Sequence, residues 1–340
     1  MTFDRVFARL LLELCRYTYA AGFNDQENAG DKQDALAWIR SSGGLLTDEP
    51  TMLFGSKTSV ACVASYPDRN IVAYMGTKTQ FNTLENAISS IEDWHENIET
   101  LLVPFKLSSD HLGADHPPIK DKDNLGGKVH KGFLEQLTEV QAQVAATLLS
   151  NGGRGRPVFV TGHSQGGAEA ALATRALLAG GFPVVSTYTF AAPRPGNLTF
   201  IKSIPETLPI HRIEFGDDIV PHVPPILINE KAQKIIGWLK LLPGLPGQAR
   251  SILDFLEKAK DGTGFASLGK LCYGSNKTQA LRVDLSVEQE EALFYDRVYS
   301  LARHMDHWAE HHHLAGTSED VKNGKKGNYT VLVSDFQIVS

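Results

Sequence analysis

Residues 157–167 read Pro-Val-Phe-Val-Thr-Gly-His-Ser-Gln-Gly-Gly, and the rest of the chain can be organised around them. An apolar, β-branched run leads into Gly162, and a helix of small residues starts directly after Ser164. A strand that turns sharply into a helix at a serine needs glycine two residues to either side, because a side chain there would collide with neighbouring backbone. Gly162 and Gly166 stand at those positions. The stretch therefore predicts a nucleophile elbow that exposes the Ser164 hydroxyl.

The alternative is a glycine-rich strand-to-helix turn that binds phosphate. A P-loop of that kind ends in Lys followed by Ser or Thr, and residues 162–167 contain no such pair. The free N–H groups of the helix after Ser164 would instead face the negative charge that develops when a serine attacks a carbonyl. We therefore interpret Ser164 as a nucleophile.

Strands and helices alternate around this turn. Hydrophobic periodicity and turn signals predict helices at 3–21, 33–41, 133–150 and 165–179, and strands at 58–65, 70–75, 157–161, 184–190 and 210–215. Such alternation is typical of α/β proteins whose sheet is covered by helices on both faces. We expect a mostly parallel central sheet flanked by helices, folded as one domain over residues 1–340.

The C-terminal third departs from this pattern. Residues 226–265 carry two apolar helical stretches separated by Pro243-Gly-Leu-Pro-Gly247, and we expect a helical insertion that caps one end of the sheet. The remaining expected elements are strands at 266–273 and 279–284, a helix past residue 300 with Ser286 and Gln289 as its capping box, and a strand at 329–333.

The composition is that of a soluble globular protein. Of 340 residues, 42% are hydrophobic and 21% are charged, and the net charge of −6 leaves no basic surface for nucleic acid. Glu13 interrupts the apolar run 10–12 at once, so the N-terminus predicts an amphipathic helix rather than a signal peptide. No run approaches the length of a membrane span. We expect no integral membrane segment and no cleavable signal peptide, and hence a cytoplasmic protein or one exported by another route.

A serine nucleophile needs a histidine that takes its proton and a carboxylate that orients the histidine. Behind a nucleophile elbow these residues follow in the order Ser, then Asp or Glu, then His. The strand at 210–215 leads into Asp217 and Asp218, which are therefore the candidates for the acid. Pattern alone does not choose between them.

Further motifs lie in order along residues 71–225. They are Val72-Ala-Tyr-Met-Gly-Thr77, Asp93-Trp94-x-x-Asn97, Val129-His-Lys-Gly-Phe133, Gly162-His-Ser-Gln-Gly-Gly167, Phe190-Ala-Ala-Pro-Arg-Pro-Gly-Asn197 and Asp218-Ile-Val-Pro-His-Val-Pro-Pro225. This set resembles the class 3 lipases, the fungal-type triacylglycerol lipases and their bacterial members, within the α/β-hydrolase superfamily. The resemblance implies an α/β-hydrolase fold and a bacterial member of this family.

The resemblance also implies the chemistry. A serine hydrolase of this family cleaves carboxylic esters of acylglycerol type through an acyl-enzyme intermediate, without cofactor or metal, and meets its lipid substrate at a lipid–water interface. Asp218 is the implied acid, with Asp217 as the alternative. Thr77 and Gln165 are the implied oxyanion donors, and Gln165 also follows from mechanism, because the residue after an elbow serine begins the helix. Met75 stands where the family has Arg, which removes that residue's salt bridge but no backbone donor.

The histidine is left open within a late cluster. Chain order excludes the histidines before or next to Ser164, and His211 and His222 crowd the acid. The remaining candidates are His304, His307, His311, His312 and His313. In the family the base follows an Asp and shortly precedes an aromatic residue, a pattern that Asp306-His307-Trp308 fits best. The resemblance therefore favours His307.

A metal site is the alternative interpretation of this cluster. His304, His307 and His311 recur at three and four residues, so one helix face could present them to zinc. An exposed histidine-rich face needs no ligand, and we expect no metal. The cysteines lack motif spacing and are expected to be small buried residues. They are Cys15, Cys62 and Cys272.

Residues 78–92 are a candidate lid. On a helix, Phe81, Leu84, Ile88 and Ile91 fall within an arc of roughly 80°, with polar residues facing away. An ordinary surface helix packed on the core is the alternative. The segment follows the oxyanion strand directly, where the family carries its lid, and its apolar face can cover a cleft in water and then turn toward lipid.

Other substrates and a non-catalytic role stay open. A feruloyl esterase or a phospholipase would use the same scaffold, and fold-level analogy does not separate them. Some lipase-like proteins in plant immunity keep the fold for binding alone. A fluorophosphonate probe separates this last case, because a catalytically silent protein would not react with it.

The lid hypothesis predicts interfacial activation. Activity per accessible ester should rise once an acylglycerol substrate exceeds its solubility limit, because the apolar face of the helix then finds lipid to contact. Initial rates measured across that limit provide the test. An unchanged rate per accessible ester would remove the hypothesis.

Overall fold

The structure is a computed structural model that describes residues 2–22, 29–42, 44–76, 102–113, 115, 125–224, 230–245, 247–258, 264–275, 277–283, 285–303, 311–312, 314 and 329–339. The elbow, both acid candidates and two of the candidate histidines lie within these ranges. Thr77, His304, His307, His313 and the candidate lid at 78–92 lie outside them.

The strands form two sheets. They are β1 (Thr51–Phe54), β2 (Val60–Ser65), β3 (Asn70–Tyr74), β4 (Leu102–Pro104), β5 (Lys128–His130), β6 (Val158–His163), β7 (Val184–Phe190), β8 (Gly196–Asn197), β9 (Ile210–Phe215), β10 (Phe265–Ala266), β11 (Lys270–Ser275), β12 (Ala280–Arg282) and β13 (Gln337–Val339). The large sheet has the order β1-β2-β3-β6-β7-β9-β11-β12-β13, and its strands from β3 to β11 run parallel. The expected mostly parallel sheet is thus confirmed. The small antiparallel sheet, β10-β8-β5-β4, was not predicted, because its strands are only two or three residues long.

Helices cover both faces of the large sheet. They are α1 (Arg5–Gly22), α2 (Ala29–Ser42), α3 (Lys131–Ser150), α4 (Gln165–Ala179), α5 (Leu198–Lys202), α6 (Glu230–Lys240), α7 (Gly247–Lys258), α8 (Val287–Arg303) and α9 (Tyr329–Asp335). One apolar core joins the sheet to α3, α4 and α5, and the other joins it to α1, α2 and α9. None of the helices in the described ranges is long and apolar enough to cross a bilayer.

The central strand β3 is buried on both of its faces. Successive side chains of a strand point to opposite faces. In β3, Val72 and Tyr74 join the core with α3 and α4, whereas Ile71 and Ala73 join the core with α1 and α2. The cysteines are buried and unpaired, as expected.

The ends of β6, β7 and β9 lie side by side. His163 pairs with Phe190, and Phe190 pairs with Ile213, so the loops that follow these strands share one edge of the sheet. Ser164 follows β6, and the acid candidates follow β9. The topology therefore brings the nucleophile and the acid together, although about fifty positions separate them along the chain.

The C-terminal third follows the prediction in part. Two helices, α6 and α7, form inside the expected insertion at 226–265, and Lys240 of α6 makes ion pairs with two acidic side chains of α7. The capping box is confirmed. Ser286 N–H donates to Gln289 Oε1 at 2.9 Å, and Gln289 N–H donates to Ser286 Oγ at 3.4 Å.

The strand predicted at 329–333 is wrong, since these residues begin α9. The helix packs against α1 and buries Tyr329, Leu332 and Val333. On β11, a Cβ at Gly274 would overlap the Leu332 side chain, so the glycine lets the helix come close to the sheet. The preference of β-branched residues for strands is weak and depends on context, and here the buried contacts of the helix outweigh it.

Replacement of Leu332 tests this docking. Leu332→Ala should lower the free energy of unfolding by about 2–5 kcal/mol, because a fully buried side chain leaves a cavity. Ile338→Ala, on an exposed position of β13, is the matched control and should change it by less than about 0.5 kcal/mol. Urea unfolding measures both variants, and equal effects would contradict a docked α9.

Candidate active site

Ser164 lies at a strained turn between β6 and α4. Its backbone φ is +56° and its ψ is −132°, a conformation that costs a non-glycine residue on the order of 1–3 kcal/mol. A Cβ on Gly162 would overlap the Gly166 carbonyl, and a Cβ on Gly166 would overlap the Tyr74 carbonyl. The two glycines therefore let the turn close, as the motif predicted.

The hydroxyl of Ser164 faces an imidazole. Its Oγ lies 2.9 Å from His312 Nε2, and His312 Nδ1 lies 3.0 Å from Asp218 Oδ2. All three residues are at most 1% exposed. A carboxylate only accepts hydrogen bonds, so Nδ1 donates to Asp218, and Nε2 is the nitrogen that accepts from the serine hydroxyl. The three side chains form a Ser–His–Asp chain of hydrogen bonds.

The imidazole in this chain belongs to His312 and not to the favoured His307. His307 lies outside the described residues, and the preference for it came from its aromatic neighbour in sequence. Among the described residues, His312 is the histidine within hydrogen-bond distance of Ser164 Oγ, and it was one of the candidates left open. His311, one position earlier, is also buried, but its Nδ1 accepts from the Asp217 N–H at 2.8 Å.

Asp218 rather than Asp217 contacts the imidazole. The fully buried Asp218 also accepts from the Val220 N–H at 3.0 Å and from the Tyr329 hydroxyl at 2.7 Å. Burial and the nearby Asp218 charge raise the pKa of Tyr329 well above its usual value, so the phenol stays protonated and donates. Asp217 instead accepts from the Ser300 hydroxyl at 2.7 Å.

A second imidazole holds the backbone of His312. His163 Nε2 lies 2.9 Å from the His312 carbonyl, which can only accept, so Nε2 carries the proton. His163 Nδ1 therefore accepts from the Tyr19 hydroxyl at 3.1 Å. Through Tyr19 and His163, α1 supports the segment that carries the candidate base.

The structure describes one of the two predicted oxyanion donors. α4 begins at Gln165, so the Gln165 N–H belongs to the first turn, whose N–H groups point out of the helix end. At the end of β3, a Cβ on Gly76 would lie 3.1 Å from Ser164 Cβ, which places this strand end beside the serine. Thr77 comes next in the chain but lies outside the described residues, so its role stays a prediction.

Buried charges anchor the loop that carries the acid. Arg297 of α8 donates from Nε to the Gly216 carbonyl at 2.9 Å and from Nη1 to Glu214 Oε2 at 2.6 Å. Although burial raises the pKa of Glu214, Arg212 and Arg297 lower it to about 2, so this carboxylate is ionised at neutral pH. Burial and Arg297 lower the pKa of His222 well below its usual value, which leaves this imidazole neutral.

Three supporting residues were not identified from the sequence. Tyr329 lies in the run that predicted a strand, and His163 lies inside a motif that assigned it no role. Arg297 did leave a signal in the sequence. It lies three residues after Phe294 and four before Leu301, so on a helix it shares their apolar face, and a charged residue on such a face needs a buried partner. In the described ranges, no group of three or more His, Cys, Asp or Glu side chains could hold a metal ion.

Known proteins share part of this sequence. Residues 72–228 match the family described as Lipase (class 3). Over 118 residues the chain is 40% identical to the secreted mono- and diacylglycerol lipase 1 of Fusarium solani. This aligned segment covers 34% of this chain and 35% of that protein. Over 144 residues it is 35% identical to a lipase of Rhizomucor miehei, and this segment covers 40% of this chain and 35% of that lipase. The matched segments thus span about a third of each relative's length.

A solved structure shares the fold over nearly the whole length. It comes from a study of an unusual buried polar cluster in a family of fungal lipases, and it aligns with a TM-score of 0.51 and 15% identity. The alignment covers 92% of this chain and 96% of that chain. The fold is therefore the α/β-hydrolase fold that the motifs implied, and residues 72–228 relate the chain to the class 3 lipases.

The choice of histidine is testable with a pair of variants. His312→Ala should slow the reaction of Ser164 with a fluorophosphonate probe roughly a thousand-fold, because the serine loses the group that takes its proton. His307→Ala is the matched control and should react within a few-fold of the unchanged protein. The opposite pattern would restore His307 as the base.

Proposed function

We propose that this chain is a serine hydrolase that cleaves carboxylic esters of acylglycerol type, as a triacylglycerol lipase or carboxylesterase. The observation that carries the proposal is the hydrogen-bond chain from Ser164 through His312 to Asp218, with distances of 2.9 and 3.0 Å. The match to the class 3 lipases and the two relatives named as lipases support the substrate class. That the protein is a bacterial member of the family stays a prediction from the motifs, as does its location in the cell.

The proposed reaction proceeds in two steps. Ser164 Oγ attacks the ester carbonyl while His312 Nε2 takes its proton, and Asp218 stabilises the imidazolium without being protonated itself. His312 then gives the proton to the leaving alcohol, and an acyl-enzyme forms. In the second step His312 activates the water that releases the fatty acid. The proposal needs no metal or cofactor.

Two backbone N–H groups would bind the oxyanion. Gln165 is supported by its position in the first turn of α4, where the N–H groups of the helix end favour negative charge. Thr77 is supported by the motif and by the position of Gly76 beside Ser164. Residues 78–92 are proposed as the lid that covers this cleft until the protein meets a lipid–water interface.

Loss of the Ser164 hydroxyl is the direct test of the function. Ser164→Ala should reduce hydrolysis of acylglycerols by roughly a thousand-fold or more and abolish labelling by a fluorophosphonate. Ser150→Ala, at an exposed serine that ends α3, is the matched control and should behave as the unchanged protein.

The outcomes separate the alternatives. A Ser164→Ala variant that kept its activity would end the assignment. An unchanged protein that hydrolyses no ester and does not react with the probe would indicate a binding protein. A higher kcat/KM for phospholipids or feruloyl esters than for acylglycerols would move the substrate class but keep the mechanism.

A further inference from the structure

Only one side chain is available to hold the first turn of α4. Between Ser164 and Ala168 the chain reads Gln165-Gly-Gly167, and glycine offers no side chain for contacts. The turn must nevertheless be rigid, because Ser164 has a φ of +56° and a backbone donor stabilises an oxyanion only when it points at a fixed position. Side-chain contacts that fix this turn therefore act through Gln165.

The amide of Gln165 connects α4 to α3. The residue is 6% exposed, and its Nε2 donates to Glu169 Oε1 at 2.9 Å and to Gln136 Oε1. Glu169 lies four residues further along α4, about 6 Å along the helix axis, and Gln136 belongs to α3. The two acceptors hold the amide from the same helix and from its neighbour.

The carboxyl of Glu169 is uncharged at neutral pH. It is fully buried, and its Oε2 has no hydrogen-bond partner in the part of the chain that the structure describes. Burial raises its pKa to about 8, a rise that the Gln165 amide opposes and the Glu139 carboxylate increases. Alongside Gln165, the described groups that act on its charge are Glu139 of α3, Tyr74 of β3 and Tyr19 of α1, and none of these is a cation.

We propose that Glu169 is a positioning residue for the oxyanion hole, an inference that rests on the proposed function. By accepting from Gln165 Nε2, it holds the first turn of α4 and with it the backbone N–H of Gln165. The uncharged state suits this role, because a carboxylate one turn from Ser164 would repel the negative charge of the tetrahedral intermediate. Glu169 acts through Gln165 and does not itself touch the substrate.

Two substitutions separate hydrogen bonding from space filling. Glu169→Leu fills the space without a hydrogen-bond acceptor. It should lower kcat for a soluble short-chain ester about ten-fold and leave KM within about two-fold of the wild-type value. This loss of kcat is smaller than the roughly hundred-fold loss when an oxyanion donor is removed outright. Affinity for a boronic acid, which forms an anionic adduct with Ser164, should fall by the same factor. Glu169→Gln keeps the acceptor and should retain kcat at pH 7.

The pH profile is a readout that a purely structural role would not move. Wild-type kcat should fall as the pH rises through about 8, where Glu169 ionises, whereas Glu169→Gln has no proton to lose and should keep its kcat. The pH dependence of thermal stability should report the same ionisation of Glu169. An unfolded Glu169 ionises near 4.5 but the folded one only near 8, so the Tm of the wild type should fall relative to that of Glu169→Gln between these two pH values.

A double variant tests the connection through Gln165. In a Gln165→Ala background, Glu169→Leu should cause no further loss of kcat, and an additive loss would overturn the proposal. A Glu169→Leu protein that kept wild-type kcat would overturn it as well. Its unfolding midpoint and the fraction of molecules whose Ser164 reacts with the fluorophosphonate would show that this protein is folded. If Glu169→Leu does not fold, the pH profile decides. A kcat that falls at alkaline pH for Glu169→Gln as it does for the wild type would contradict the role of Glu169. Failure of the proposed function is distinct, since it would show as an active Ser164→Ala protein or as a wild type that hydrolyses no ester and does not react with the probe.

Discussion

The backbone of Ser164 is held in a conformation that few residues with a side chain adopt, and much of the surrounding structure keeps it there. Its N–H donates to the Phe190 carbonyl at 2.9 Å, and its carbonyl accepts from the Gly167 N–H at 2.8 Å. These bonds join the turn to β7 and to the start of α4, and the flanking glycines remove the side chains that would block it. A hydroxyl presented this way is fixed in space, so the groups that act on it have to be brought to it.

Elements from distant parts of the chain bring these groups to one edge of the sheet. The parallel register of β6, β7 and β9 carries Asp218 to the serine, and residues of three helices then stabilise the arrangement. Tyr19 of α1 acts through His163 on the backbone of His312, Tyr329 of α9 donates to Asp218, and Arg297 of α8 anchors the acid loop. These groups are buried or half-buried, and a buried polar group needs a hydrogen-bond partner, so the site forms a single connected network.

Two buried glutamates illustrate how neighbours decide protonation. Glu214 lies against Arg212 and Arg297, and their charges lower its pKa to about 2 although burial opposes this. Glu169 is equally buried, and burial raises its pKa to about 8, because the described residues that act on it are the Gln165 amide, two tyrosines and Glu139, none of which is a cation. At neutral pH the ionised group lies in the cluster that anchors the acid loop, and the uncharged group lies behind the first turn of α4. Glu169 therefore adds no negative charge behind the helix end that would face the oxyanion.

Rules that act between neighbouring residues explain which parts of the fold and the site could be predicted from the sequence. Glycine requirements and hydrophobic periodicity act over a few residues, and they were sufficient for the elbow at Ser164, the bounds of α4, β7 and β9, the capping box at Ser286 and the two candidates for the acid. They could not choose among five late histidines, because the preference for His307 came from a neighbour in sequence, whereas the contact of His312 with Ser164 joins residues 148 positions apart. The helix at Tyr329–Asp335 escaped prediction for the same reason, since its docking on α1 and its hydroxyl contact with Asp218, 111 positions away, outweigh the strand preference of its β-branched residues. Chain-local chemistry thus specified the nucleophile and its scaffold, and only packing between remote segments selected the imidazole and the residues that support it.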